Sequence, residues 1–147
     1  MRFPGTETSK LYPRGDDPRR ISERVRKLSK PLLGSQFRAE VAAFIADGDP
    51  PFWARRMSTQ LEIPENKVSG ELSRFAAQDL LTELTGDPWD RRTLYEPAAG
   101  SSAYWDAAKS LVRRAADAEA LEQGVSAEAT LSAYLSAVHG RVPGRKP

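Results

Sequence analysis

The sequence predicts a mainly helical protein that carries one small antiparallel β-hairpin. Three observations lead there. Apolar residues recur at three- and four-residue spacing over most of the chain. Two runs suited to strands, "LLTEL" and "RTLYE", flank the turn-forming stretch "GDPWD". Finally, 147 residues at 39% hydrophobic and 29% charged match one globular domain with a single core.

The elements follow in order. Residues 1–18, "MRFPGTETSKLYPRGDDP", hold three Pro and two Gly without periodicity and are expected to form a flexible basic N-terminal arm. From Pro18 to Ser29, Ile21, Val25 and Leu28 make a helical stripe, which Pro31 and Gly34 are expected to break. In "SQFRAEVAAFIADGD", Phe37, Val41, Phe44 and Ile45 share one side of a helix, with Ser35 as its cap and Gly48 just past its end. Asp49, Pro50 and Pro51 turn the chain into a helix from about Phe52 to Leu61, with Trp53, Met57 and Leu61 at four-residue spacing.

Pro64 suits the entrance of the next helix, about Glu65 to Asp79, whose buried stripe is Val68, Leu72 and Phe75. The two strands come next, then the loop "EPAAGSS". A long helix from Ala103 to about Leu121 places Tyr104, Trp105, Ala108, Leu111, Val112 and Ala115 on one side, and a last helix centres on Leu131, Tyr134, Leu135 and Val138. Residues 139–147, from His139 on, read as a flexible basic tail.

Three helices followed by a hairpin is the winged helix-turn-helix arrangement, here with extra N- and C-terminal helices. Residues 19–98 would form that unit. Residues 99–138 either pair two chains about a two-fold axis, together with the Ile21 to Leu28 helix, or cover the back of the domain.

Charge is unevenly spread. Residues 1–32 carry nine Lys or Arg against four Asp or Glu, the last nine residues add three more cations, and the middle is acidic although the whole chain is only +2. Basic ends on an acidic body suit contact with an acidic polymer, and equally suit simple solubility. No run approaches the roughly 18 to 20 apolar residues of a membrane span, and "MRFPGTETSK" lacks the apolar segment of a secretion signal. The expected compartment is the cytoplasm, with no membrane partner. With one His, no Cys and no Gly-rich phosphate loop, no catalytic site, metal centre or cofactor is expected.

The most informative run is "MSTQLEIPENKVSGELSRF", residues 57–75. Met57 and Ser58 supply the apolar and small residues that let two helices cross closely. Leu61, Glu62 and Ile63 form a short turn with an apolar plug, and the helix that follows is apolar on one side only. This run resembles the bacterial winged-helix regulators of the MarR and ArsR type, with Val68, Ser69 and Leu72 where their pattern has Val, Ser and Leu. Glu62 stands at a family Gly and Pro64 at a family Ser. "DPWDRR", residues 87–92, has the Asp-x-x-Asp-Arg-Arg form of MarR-type wings. The resemblance implies a homodimeric transcriptional regulator that binds double-stranded DNA. Its Arg91 and Arg92 would then lie along phosphates or the minor groove, with Asp90 orienting them.

Helical geometry adds candidates. With Val68, Leu72 and Phe75 inward, Asn66, Gly70 and Ser73 face out, flanked by Lys67 and Arg74. Asn66 suits an adenine edge, and Lys67 or Arg74 a guanine or a phosphate. Gly70 either admits DNA close to the helix backbone or is simply an exposed glycine. Ser69 is expected near the helix crossing and counted with the DNA contacts. Arg55 and Arg56, one helix earlier, suit phosphates. Trp89 either braces the hairpin or meets a partner. Glu62, Glu65 and Glu71 crowd the same region, which favours the alternative of a winged-helix protein-interaction adaptor without DNA binding.

Overall fold

The computed structural model describes residues 18–84 and 91–140. Among these residues are helices α1 (Pro18–Leu33), α2 (Arg38–Asp47), α3 (Ala54–Leu61) and α4 (Glu65–Ala77), strands β1 (Leu81–Leu84) and β2 (Leu94–Pro97), and helices α5 (Ser102–Gln123) and α6 (Ala127–Gly140). The class is mainly helical with one small antiparallel sheet. The expected arm at 1–17, the hairpin tip with Trp89 and Asp90, and residues 141–147 lie outside the described residues.

α2 is the hub. Every residue from Ala39 to Ile45 is buried, so this helix is enclosed on all sides rather than on the one side expected. Ala39, Ala42 and Ala43 explain the difference, because small side chains on the remaining faces let α1 and α5 approach closely. Its cap also differs from expectation. Phe37 is the N-cap residue and gives no side-chain bond. The Ala39 amide instead donates to the buried Ser29 hydroxyl of α1, at 3.0 Å. At the other end Gly48 is required by space: a Cβ there would lie 2.8 Å from the Phe44 carbonyl oxygen and 3.0 Å from the Phe52 ring.

α1 runs on to Leu33, through Pro31. A proline in the final turn forfeits only its bond to the carbonyl four residues back, and the helix ends at Gly34, where φ is 85°. Phe52, expected to begin a helix, is extended. It exchanges two backbone hydrogen bonds of 2.8 Å with Tyr95, adding a single-residue rung beside β2. On its other side β2 pairs with β1 in the register Leu81↔Pro97 to Leu84↔Leu94.

The helices are pinned by charge. Glu40 of α2 accepts from Arg26 of α1 at 2.5 Å, and Glu71 of α4 from Arg38 of α2 at 2.7 Å. Glu119 of α5 accepts from Arg20 at 2.6 Å and Arg24 at 2.9 Å, both of α1. All three carboxylates are in buried residues, and each ties a different pair of helices.

Most of the apolar residues on which a two-fold interface was expected are used inside the chain. Ile21, Val25, Trp105, Val112, Tyr134 and Val138 are buried within the chain itself, in the same core as Val68 and Phe75. α5 packs on α2, α1 and α6, so the C-terminal helices cover the back of the domain. Among the described residues the exposed large hydrophobics are Leu32 and Leu121. His139 is likewise not a tail residue. It lies in α6 with its ring stacked on Phe44 at 4.7 Å, and its backbone carbonyl accepts from Gln60 of α3. Burial holds the imidazole pKa below its ordinary value.

Burial also pushes the Glu40 carboxyl up from 4.5 to about 7, against the opposing pull of Arg26. Because the folded value is raised, the stability this group contributes is fully present below pH 4.5 and is lost as pH rises through about 7. Glu40→Gln, which does not titrate, is expected to remove that decline. Arg26→Ala removes the charge that opposes the rise, so the Glu40 carboxyl is expected to stay protonated to higher pH and the decline to continue above about pH 7. Urea unfolding of wild type and both variants at acidic, neutral and alkaline pH measures the two effects. An unchanged pH response in Glu40→Gln would contradict them.

Candidate nucleic-acid interface

The segment from α3 to α4 is built around Met57, Leu61 and Ile63, each buried. Ser58 supplies more than small size: its hydroxyl donates to the Ile63 carbonyl at 2.6 Å and closes the turn. Glu62 occupies the left-handed region, φ 58° and ψ 45°, the conformation a glycine adopts without strain. Pro64 is the N-cap residue of α4, and its carbonyl accepts from the amides of Lys67 and Val68.

On α4 the inward side is Val68, Glu71, Leu72 and Phe75. Phe75 meets Tyr104 and Trp105 of α5 edge to face, at 5.6 Å and 5.2 Å, which anchors the helix from behind. Asn66, Lys67, Ser69, Gly70, Ser73 and Arg74 are all exposed. Ser69 therefore lies away from the helix crossing where its packing was expected. A Cβ added at Gly70 would meet nothing within 4 Å.

Glu71 does not join an acidic surface. It turns into the protein, taking hydrogen bonds from Arg38 and from the Ser35 hydroxyl at 2.8 Å. The sequence carried this signal, since positions 68, 71, 72 and 75 together make a helical stripe. Glu62 and Glu65 are exposed.

The two arginines of α3 part ways. Arg55 is exposed. Arg56 donates to the carbonyls of Asp49 and Pro51, at 2.8 Å and 2.6 Å, and to Gln60. Its guanidinium also sits over the rings of Phe44, Phe52 and Trp53. That side chain binds the 48–53 connection to α3, a structural duty that sequence spacing did not reveal.

Arg91 and Arg92 are exposed at the entry to β2. Arg92 lies over the Trp53 ring, 4.5 Å from its centroid. Between α4 and β2 a groove of about 330 Å³ is lined by Trp53, Arg55, Glu65, Ser69, Ser73 and Arg92, among others. The structure thus brings Arg55, Ser69, Ser73 and Arg92 together around one groove, leaves Asn66, Lys67, Gly70 and Arg74 on the exposed surface of α4, and sets Arg56 apart. Among the described residues no group of three or more His, Cys, Asp or Glu side chains is placed to hold a metal ion, and no helix is long and apolar enough to cross a membrane. No protein-family model, curated protein or solved structure matches the chain.

Two substitutions test the local backbone. Gly70→Ala is expected to stabilise the fold by about 1 kcal/mol, because alanine is the better helix former and the added methyl meets no neighbour. Glu62→Gly is expected to stabilise by about 1 kcal/mol through relief of the left-handed residue. Thermal unfolding reads both, and a lowered midpoint in either variant would contradict the local geometry.

Proposed function

We propose that the chain is a sequence-specific double-stranded DNA-binding protein, a cytoplasmic transcriptional regulator of winged helix-turn-helix form. In it α4 enters the major groove, and the hairpin lies on flanking phosphates or in the minor groove. The observation that carries this proposal is the exposed side of α4. It offers an amide, two hydroxyls and two cations around an open glycine, while the helix's central carboxylate, Glu71, is withdrawn and neutralised by Arg38. An α-helix fits the major groove, and these side chains match what base edges and phosphates accept.

Roles follow from position. Asn66 reads an adenine edge, and Lys67 and Arg74 meet a guanine or the backbone. Ser69 and Ser73 donate to phosphate oxygens from the groove side. Arg55, Arg91 and Arg92 neutralise phosphates, and Gly70 lets the backbone of α4 come close. A palindromic site would take two chains, one on each half-site.

Selection from a random duplex pool is expected to yield a defined sequence. Affinity for it should fall steeply with salt as counterions are released. Replacing Arg91 and Arg92 together by Ala should weaken all duplexes alike and flatten the log–log salt slope by about 2. Asn66→Ala should instead relax the preference at one base pair, and Gly70→Ala should weaken binding even though it stabilises the fold. Failure to bind any duplex at low salt would remove the DNA proposal and leave the adaptor as the better account.

A further inference from the structure

The rung between Phe52 and Tyr95 has a consequence for the hairpin. Residues directly opposed across an antiparallel pair share a face, and side chains alternate along each strand. If Phe52 opposes Tyr95 and both are buried, the next pair, Trp53 and residue 94, points the other way. Arg92, in the bend two residues before β2, comes to that same side. The side chains bear this out: the guanidinium carbon of Arg92 stands 4.5 Å from the centre of the Trp53 ring. Trp53 is itself held, because Arg56 packs over it at 5.6 Å while bonded to the carbonyls of Asp49 and Pro51. The ring is therefore a fixed platform on the body of the protein, and it carries a side chain of the hairpin.

We infer that Trp53 is a positioning residue: it holds Arg92 over its ring at the mouth of the groove between α4 and β2, so that one strand of the DNA phosphate backbone is gripped there between Arg92 and Arg55. An arginine at the root of a hairpin loses conformational freedom when it binds, and a partner that restrains it beforehand lowers that cost. A guanidinium over an indole is the strongest of the common cation–π pairs, and stacking leaves its N–H groups directed along its own plane. The groove beside it holds about 330 Å³ and offers Ser69, Ser73 and Thr93 as neutral donors, with Glu65 the one carboxylate on its lining against Arg55 and Arg92. Those groups suit a phosphodiester, whose oxygens accept hydrogen bonds and bring negative charge. This inference rests on the DNA-binding proposal above.

The test is a double-mutant cycle on a selected duplex, with thermal unfolding confirming that each variant is folded. Trp53→Ala and Arg92→Ala should each weaken binding by roughly three- to ten-fold, and the double variant should be little worse than either. Trp53→Phe, which keeps a ring, should restore most of the loss. Arg55→Ala combined with Trp53→Ala should instead multiply the two single losses, because Arg55 does not depend on the ring. The ring current of Trp53 should also displace the Arg92 Nε–H proton resonance in wild type, and Trp53→Ala should abolish that displacement without any DNA present.

Losses that multiply for Trp53 and Arg92 while wild type binds DNA would overturn the positioning role and leave DNA binding intact. A wild type that binds no duplex would overturn both, and would leave the proton displacement as a property of the fold alone.

Discussion

Three buried glutamates govern how the helices of this protein can sit. Glu40, Glu71 and Glu119 occupy helix interiors, and each is answered by arginine from another helix. An unpaired carboxylate at such depth costs several kcal/mol, so a packing that slides or rotates one helix out of register is penalised directly. Apolar contact alone would not discriminate so sharply, because alanine-rich faces such as those of α2 and α5 pack acceptably in several registers. α1 contributes the arginines for two of these pairs. It therefore acts as a brace joining the central helix to the C-terminal one.

The same constraint reaches the candidate interface. Arg38 sits at the start of α2 and holds Glu71, which fixes the rotation of α4 about its own axis. That rotation decides which residues of α4 face outward, and it removes a negative charge from the side that would approach DNA. At the far end of α2, Gly48 allows Phe52 to close against Phe44, and Arg56 gathers the carbonyls of the connection. The start of α3 and the Trp53 platform are set by that closure. Both ends of one buried helix thus help to set residues that line the groove.

Much of the fold was legible in spacing. Ile21 and Val25, Met57 and Leu61, Val68, Leu72 and Phe75, and Trp105 to Ala115 all fall where periodicity put them, because burying apolar surface is what makes those helices form. The misreadings have a common physical origin. Glu71 lies on the apolar stripe of its helix, and a polar letter there reads as solvent-facing until its partner is known; Glu40 and Glu119, buried in the same way, carry no local signal of their partners either. Arg56 reads as a surface cation for the same reason, although its hydrogen bonds and ring contacts run from Phe44 of α2 through the 49–53 connection to Gln60 of α3. Phe52 reads as a helix residue because a rung with Tyr95, far along the chain, leaves no local pattern. Many apolar residues of α5 and α6 that read equally as an intermolecular face or as the back of the domain pack on α1 and α2.

The sequence by itself determined the class, the order of the elements and the exposed side of α4, since each follows from local propensity and from the periodicity of burial. Only the tertiary structure decided the register of the helices, the withdrawal of Glu71, the fate of the C-terminal helices, and the meeting of Trp53 with Arg92. Those features depend on contacts between residues distant in sequence, such as Arg20 with Glu119 and Phe52 with Tyr95, and no local pattern encodes which distant partner a charged or aromatic side chain will find.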